Sequence, residues 1–191
     1  MKKRSNCSIG GLKYPSSDQI SGRSSTICRS MACTMLERIA CSPEDEAKWM
    51  TFFRGDTCAY CGKKATHLDH LYPLVIDRKP TGYGTEPANL VPCCSKCNQP
   101  KGNMEWEVFM RSDMCEHTID PELGSVEESK EKRIQTIREF QQRMPPKKVE
   151  FSEELLQKWA SLLEDFDNKL KEANDALLKW KEAIYASTEQ H

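Results

Sequence analysis

Two Cys-x-x-Cys pairs, Cys58/Cys61 and Cys94/Cys97, bracket an Asp69-His70 dipeptide, and Asn98 follows the last cysteine directly. Thiolates bind zinc tetrahedrally, and each Cys-x-x-Cys turn presents two sulfurs to one ion, so two turns make a closed, structural four-sulfur site. Cys93 adjoins the second pair, but Cys94 has the required spacing to Cys97, so Cys93 is left out. The gap between the pairs exceeds that of ordinary zinc ribbons, which leaves room for a second functional element between them.

Asp69-His70 places a hard oxygen ligand beside an imidazole. Hydrolysis of a phosphodiester needs an activated water and a cation that stabilises charge on the phosphate and the leaving oxygen. A histidine titrating near neutrality suits the general base. A carboxylate with a neutral amide oxygen suits Mg²⁺, which otherwise keeps waters and substrate oxygens. His67 lies two residues before Asp69 and is read as a surface or supporting residue; His117 and His191 are read as incidental.

The stretch from about Phe53 to Phe109 resembles an HNH endonuclease domain, the ββα-metal fold. The resemblance rests on Cys58-x-x-Cys61, Asp69-His70 with Pro73 nearby, a Gly-containing loop, Asn89-Leu90, Cys94-x-x-Cys97-Asn98 and Lys101-Gly102, in that order. It implies a divalent-metal-dependent nuclease in which Asp69 and Asn98 hold a catalytic Mg²⁺ or Mn²⁺ and His70 is the base. Asn89 is then the middle Asn that steadies the loop, and Lys101 lies near the phosphate. Cys58, Cys61, Cys94 and Cys97 hold the structural Zn²⁺. The third position is Asn where many members have His, making this an H-N-N variant. DNA, double-stranded, is the implied substrate, in a restriction-type, phage or mobile-element setting.

The elements that must position these residues follow from local signals. Residues 1–30 read as a flexible basic arm. N-terminal helices are expected over 31–55: one near 31–41, and a second opened by Ser42 as N-cap, Pro43, and acids in the first turn. The second helix should end at Arg54-Gly55. Trp49, Met50, Phe52 and Phe53 are expected in the core. The nuclease core spans 56–112, with a hairpin around the first cysteine pair. A loop follows over 76–88, where Tyr72, Arg78, Lys79 and Tyr83 are candidates for touching a duplex. A single helix should then run from Cys94–Asn98 through Trp106, Phe109 and Met110, with Pro100 tolerable in its first turn. Residues 113–125 read as a linker. Residues 126–191 form a long C-terminal helical hairpin, with Ile134, Ile137 and Phe140 inward on its first helix. Apolar residues from Phe151 to Ile184 recur at about 3.67 residues, so any supercoil would be weak or right-handed. Such a stripe must bury itself, against the 126–144 helix or across a homodimer. The fold class expected is α+β: a small zinc-containing ββα-metal core between flanking helices.

Composition bounds these readings. The 191 residues carry ten cysteines but no apolar run long enough for a membrane helix. Met1-Lys-Lys-Arg4 is followed by no apolar segment, so no secretion signal is read, and a cytoplasmic location in a prokaryote or phage is expected. Metal binding is then the better account of the clustered cysteines than disulfides, and the scattered ones read as free thiols. The net charge of −1 hides a split: residues 1–103 hold 15 Lys/Arg against 9 Asp/Glu, and the remainder 13 against 20. A basic front half suits a polyanion. A non-catalytic zinc-knuckle nucleic-acid-binding or assembly protein is the alternative reading.

Overall fold

The computed structural model describes the backbone at residues 8–9, 12–13, 24–36 and 39–188, and side chains over 26–36 and 39–186. Most of the expected 1–30 arm lies outside the described residues, as does His191. The chain divides into two compact units, one comprising residues 1–26 with 161–191 and the other residues 27–160.

The larger unit carries the α+β architecture. Helices α1 (Ser24–Met35) and α2 (Pro43–Met50) lead into strand β3 (His67–His70); the short pair β1 (Ser8–Ile9) and β2 (Leu12–Lys13) belongs to the smaller unit. Strands β4 (Val75–Ile76) and β5 (Lys79–Pro80) form a hairpin, and β6 (Leu90–Cys93) runs into α3 (Ser95–Lys101). Then come α4 (Trp106–Arg111), α5 (Val126–Arg143) and α6 (Glu153–Thr188), the last extending into the smaller unit. β3 pairs antiparallel with β6, from His67↔Cys93 to His70↔Leu90. With α3 this makes the ββα unit, and its ladder partner comes from beyond the loop. The expected hairpin around the first cysteine pair reduces to a single bridge, Thr57↔Lys64.

The core gathers around this unit. Phe53, Tyr60, Leu71, Val91, Phe109, Met110, Ile134, Ile137 and Phe140 are buried together, with Trp49 and Phe52 packed against them. Rings do much of the filling: Phe140 meets Phe53 edge-on at 4.9 Å and Phe52 at 5.6 Å. Ser42 caps α2 as its sequence requires, its hydroxyl accepting from the Asp45 N–H at 3.1 Å. Ser125 caps α5 in the same way.

Several boundaries differ from the sequence reading, each for a local reason. α1 starts at Ser24, inside the expected arm, and α2 stops at Met50, leaving Phe52 and Phe53 on a turn that points them inward. The expected single helix after Cys94 is two helices, because Gly102 turns the chain with φ +48°. Pro100 sits in the second half of α3, not its first turn. The N–H it lacks would have bonded the carbonyl of Lys96, an exposed residue that water can serve. The 76–88 loop contains a tight hairpin whose two turn residues, Asp77 and Arg78, both have positive φ. Such a turn matches strand twist but strains non-glycine residues. Here the Arg78 carbonyl is clamped by the Cys28 thiol of α1 at 3.4 Å and by Trp159 Nε1 of α6 at 2.8 Å.

In the smaller unit, β1 pairs antiparallel with β2, and the distal part of α6 exposes Leu162, Phe166, Leu177 and Trp180. None of the described helices is long and apolar enough to cross a membrane.

Phe140→Ala removes the ring on which Phe52 and Phe53 converge and is expected to cost about 3–5 kcal/mol, read as a lower urea midpoint with unchanged slope.

Candidate metal and nuclease site

The thiols of Cys58, Cys61, Cys94 and Cys97 are all buried and lie within 4.8 Å of one another. Cys61 and Cys94 are 3.6 Å apart at sulfur. A tetrahedral zinc with bonds of ~2.3 Å would separate its sulfurs by roughly 3.8 Å. The cluster is therefore compatible with a structural zinc. Packing alone sets the thiols against one another. Hydrogen bonds, first from Cys61, drive the Cys58 thiol far below its ordinary range, while the bond to Cys115 contributes most to driving Cys97 far above it. A dication removes that conflict by favouring thiolate at all four. Cys93 lies outside the cluster, its thiol donating to the Cys94 carbonyl.

The expected linker 113–125 wraps this cluster. Cys115 is buried beside Cys97, and both the backbone N–H and the hydroxyl of Thr118 donate to the Cys61 carbonyl at 2.9 Å. His117 turns toward Cys115 and bonds the Met110 carbonyl through Nε2. Read from sequence, Cys115 was one of several scattered thiols and His117 was incidental; the chain reversal that brings them here is tertiary.

β3 presents Asp69 and His70 to different partners, as the pleat of a strand demands. Asp69 is buried; its Oδ2 accepts from the Tyr60 hydroxyl at 2.8 Å and pairs with the Lys101 ammonium at 2.9 Å. Lys101 is 1% exposed and also donates to the His70 carbonyl at 3.0 Å. This side chain, expected near the phosphate, locks the end of β3 to α3. The reason is register: Lys101 ends the helix that starts after Cys94, and its ammonium lies over the Tyr60 ring, 5.7 Å from the centroid. Asn98, half-buried, precedes Lys101 by three residues and so neighbours it on the helix surface.

His70 is the last residue of β3 and half-buried. Its Nε2 bonds Thr85 Oγ1 at 3.0 Å. Burial lowers its pKa to about 4, helped by the charge of Arg29 on α1, so the imidazole is neutral at physiological pH. Thr85 and Arg29 carry no motif signal in the sequence. His67 is exposed and bonds its neighbour Thr66.

Asn89 is fully buried behind the site. Its Oδ1 accepts from the Tyr72 N–H at 2.8 Å, and its Nδ2 donates to the carbonyls of Tyr72 and Gly84 at 3.1 and 3.0 Å. One amide thus ties the chain after β3 to the loop that carries Thr85. Tyr72 and Tyr83, considered as duplex contacts, stack on each other at 4.4 Å, and Gln141 bonds the Tyr72 hydroxyl. Gly82 lies so close to the Val149 carbonyl that a Cβ would meet it at 2.1 Å.

Residues 58–104 match the HNH endonuclease family model. The HNH match covers about a quarter of the chain and spans both cysteine pairs, Asp69, His70, Asn89, Asn98 and Lys101. It supports nuclease-type, metal-binding chemistry for the segment. No curated protein and no solved structure matches the chain.

Two outcomes check the site. The purified protein is expected to hold one equivalent of zinc by elemental analysis; Cys97→Ser should lose it and melt far lower, while Cys93→Ser keeps it. Lys101→Met leaves the Asp69 carboxylate buried without its cation and is expected to cost about 3–5 kcal/mol in chemical denaturation, part of which Asp69→Asn in the same chain restores.

Proposed function

We propose that this chain is a divalent-metal-dependent endonuclease that hydrolyses DNA phosphodiester bonds. The observation that carries the reading is the junction of β3, β6 and α3. There Asp69, His70, Asn89 and Lys101 are linked by direct or backbone-mediated hydrogen bonds within the segment that matches HNH endonucleases.

His70 is the general base. Thr85 orients the ring through Nε2, which leaves Nδ1 to take the proton of an attacking water. A neutral imidazole is the form that accepts a proton, and its lowered pKa keeps it so well below pH 7. Asn89 holds the loop that carries Thr85 and so sets the ring's position. Asp69 and Asn98 form the hard-oxygen donor pair. Tyr60 and Lys101 both act on Oδ2 of Asp69, so Oδ1 is the oxygen that would meet Mg²⁺ or Mn²⁺. The ion supplies charge stabilisation at the phosphate and leaving oxygen. Lys101 acts here as a positioning residue for Asp69. The exposed apolar stripe of α6 suits a homodimer, which would allow cutting of both strands.

The second reading, a non-catalytic zinc-knuckle binder of nucleic acid, draws on one observation: the Lys101 ammonium already neutralises Asp69.

Supercoiled plasmid with Mg²⁺ or Mn²⁺ separates the two. Linear or nicked product is expected from the parent chain, with His70→Ala at least a hundredfold slower but unchanged in zinc content and melting temperature. DNA binding without any cleavage by the parent would establish the binder instead.

A further inference from the structure

On another face of the larger unit, a cavity of about 490 Å³ opens between the first cysteine turn, the 118–122 segment and α5. It shares no lining residue with His70, Asn89 or Lys101. Its size is that of a small-ligand site.

Its wall is cationic in a specific way. Arg133 reaches from α5 beneath Gly62, so closely that a Cβ on Gly62 would stand 2.1 Å from its Nη2. That Nη2 donates to Thr118 Oγ1 at a long 3.4 Å, and the other terminal nitrogen, Nη1, is buried with no hydrogen-bond partner. A guanidinium has five donors, and leaving one buried and unmet is costly, the more so on a charged group. No carboxylate pairs with Arg133 or with Arg54 at the rim among the described residues. Two carboxylates do line the cavity, Asp120 and Glu122; Lys132 takes both, at 3.0 and 3.5 Å, and the charge of Arg133 also acts on Asp120.

A ligand that completes this wall must bring acceptor oxygens to Arg133 and Arg54. Three cations against two carboxylates leave a single excess positive charge, which suits a monoanion better than a dianion. We infer that this cavity is a docking site for a phosphodiester of the nucleic-acid strand, held between Arg133 and Arg54 apart from the residues that cut. This rests on the reading of the chain as acting on nucleic acid. Phosphate contacts of this kind position a strand without reading its sequence.

The test uses the full chain carrying His70→Ala, so that cleavage does not intervene, and a fluorescent DNA duplex titrated at several salt concentrations. Arg133→Met and Arg54→Ala are compared with that background; the second alters only an exposed rim residue, so a folding defect cannot explain both. Each is expected to bind several-fold more weakly, equally for unrelated sequences, and to lower the slope of log affinity against log salt by about one. In the cutting-competent chain the same variants should raise KM and leave kcat unchanged. Unchanged affinity and slope in both variants, with the background still binding DNA, overturn the docking site alone. A background that binds no DNA overturns the nucleic-acid reading and this inference with it. Inorganic phosphate is the control: if it raises the melting temperature of the parent but not of Arg133→Met while DNA binding is unaffected, the cavity takes free phosphate and the inference fails.

Discussion

Four sulfur atoms converging within 4.8 Å are the constraint on which the larger unit depends. They join the turn at residues 58–61 to the start of α3 and so close a loop of more than thirty residues around β3 and β6. A ladder of four residue pairs on two strands is marginal by itself in water. The cysteine cluster holds one end of it, and the ring-filled core behind Phe53, Phe109 and Phe140 holds its face. A small unit with limited apolar surface commonly needs such a clasp.

The buried pair of Lys101 and Asp69 is the second tie, and it depends on the first. α3 must begin at Cys94 for Lys101 to fall one turn past Asn98 and reach back to β3. Two opposite charges removed from water offset each other only with good geometry and further hydrogen bonds. Tyr60 and the His70 carbonyl supply those. Cysteine cluster, strand end and helix are thereby one mechanical assembly, and the site gains rigidity that a loop would lack.

Burial does different work on each side of β3. Toward the core it makes Asp69 a fixed acceptor; toward the loop it strips water from His70 and keeps its ring neutral. The strain of Asp77 and Arg78, offset by contacts from α1 and α6, shapes the hairpin that borders this face. These helices lie far from the cysteine motif in sequence yet act directly on the loop next to it.

What was legible in the sequence were features carried by short spacings: the two Cys-x-x-Cys turns, the exclusion of Cys93, the cap at Ser42, the inward face of Ile134, Ile137 and Phe140, and an α+β class. Each follows from geometry within a few residues, which the chain's own bond lengths and helical period impose. Thr85 on His70, Tyr60 and Lys101 on Asp69, Cys115 beside Cys97 and Arg133 under Gly62 were not legible. These contacts join residues up to 71 positions apart, and no local periodicity encodes them. They were decided by where the cysteine cluster, the β3–β6 ladder and α5 packed together, because burial and hydrogen-bond partners are properties of the closed chain.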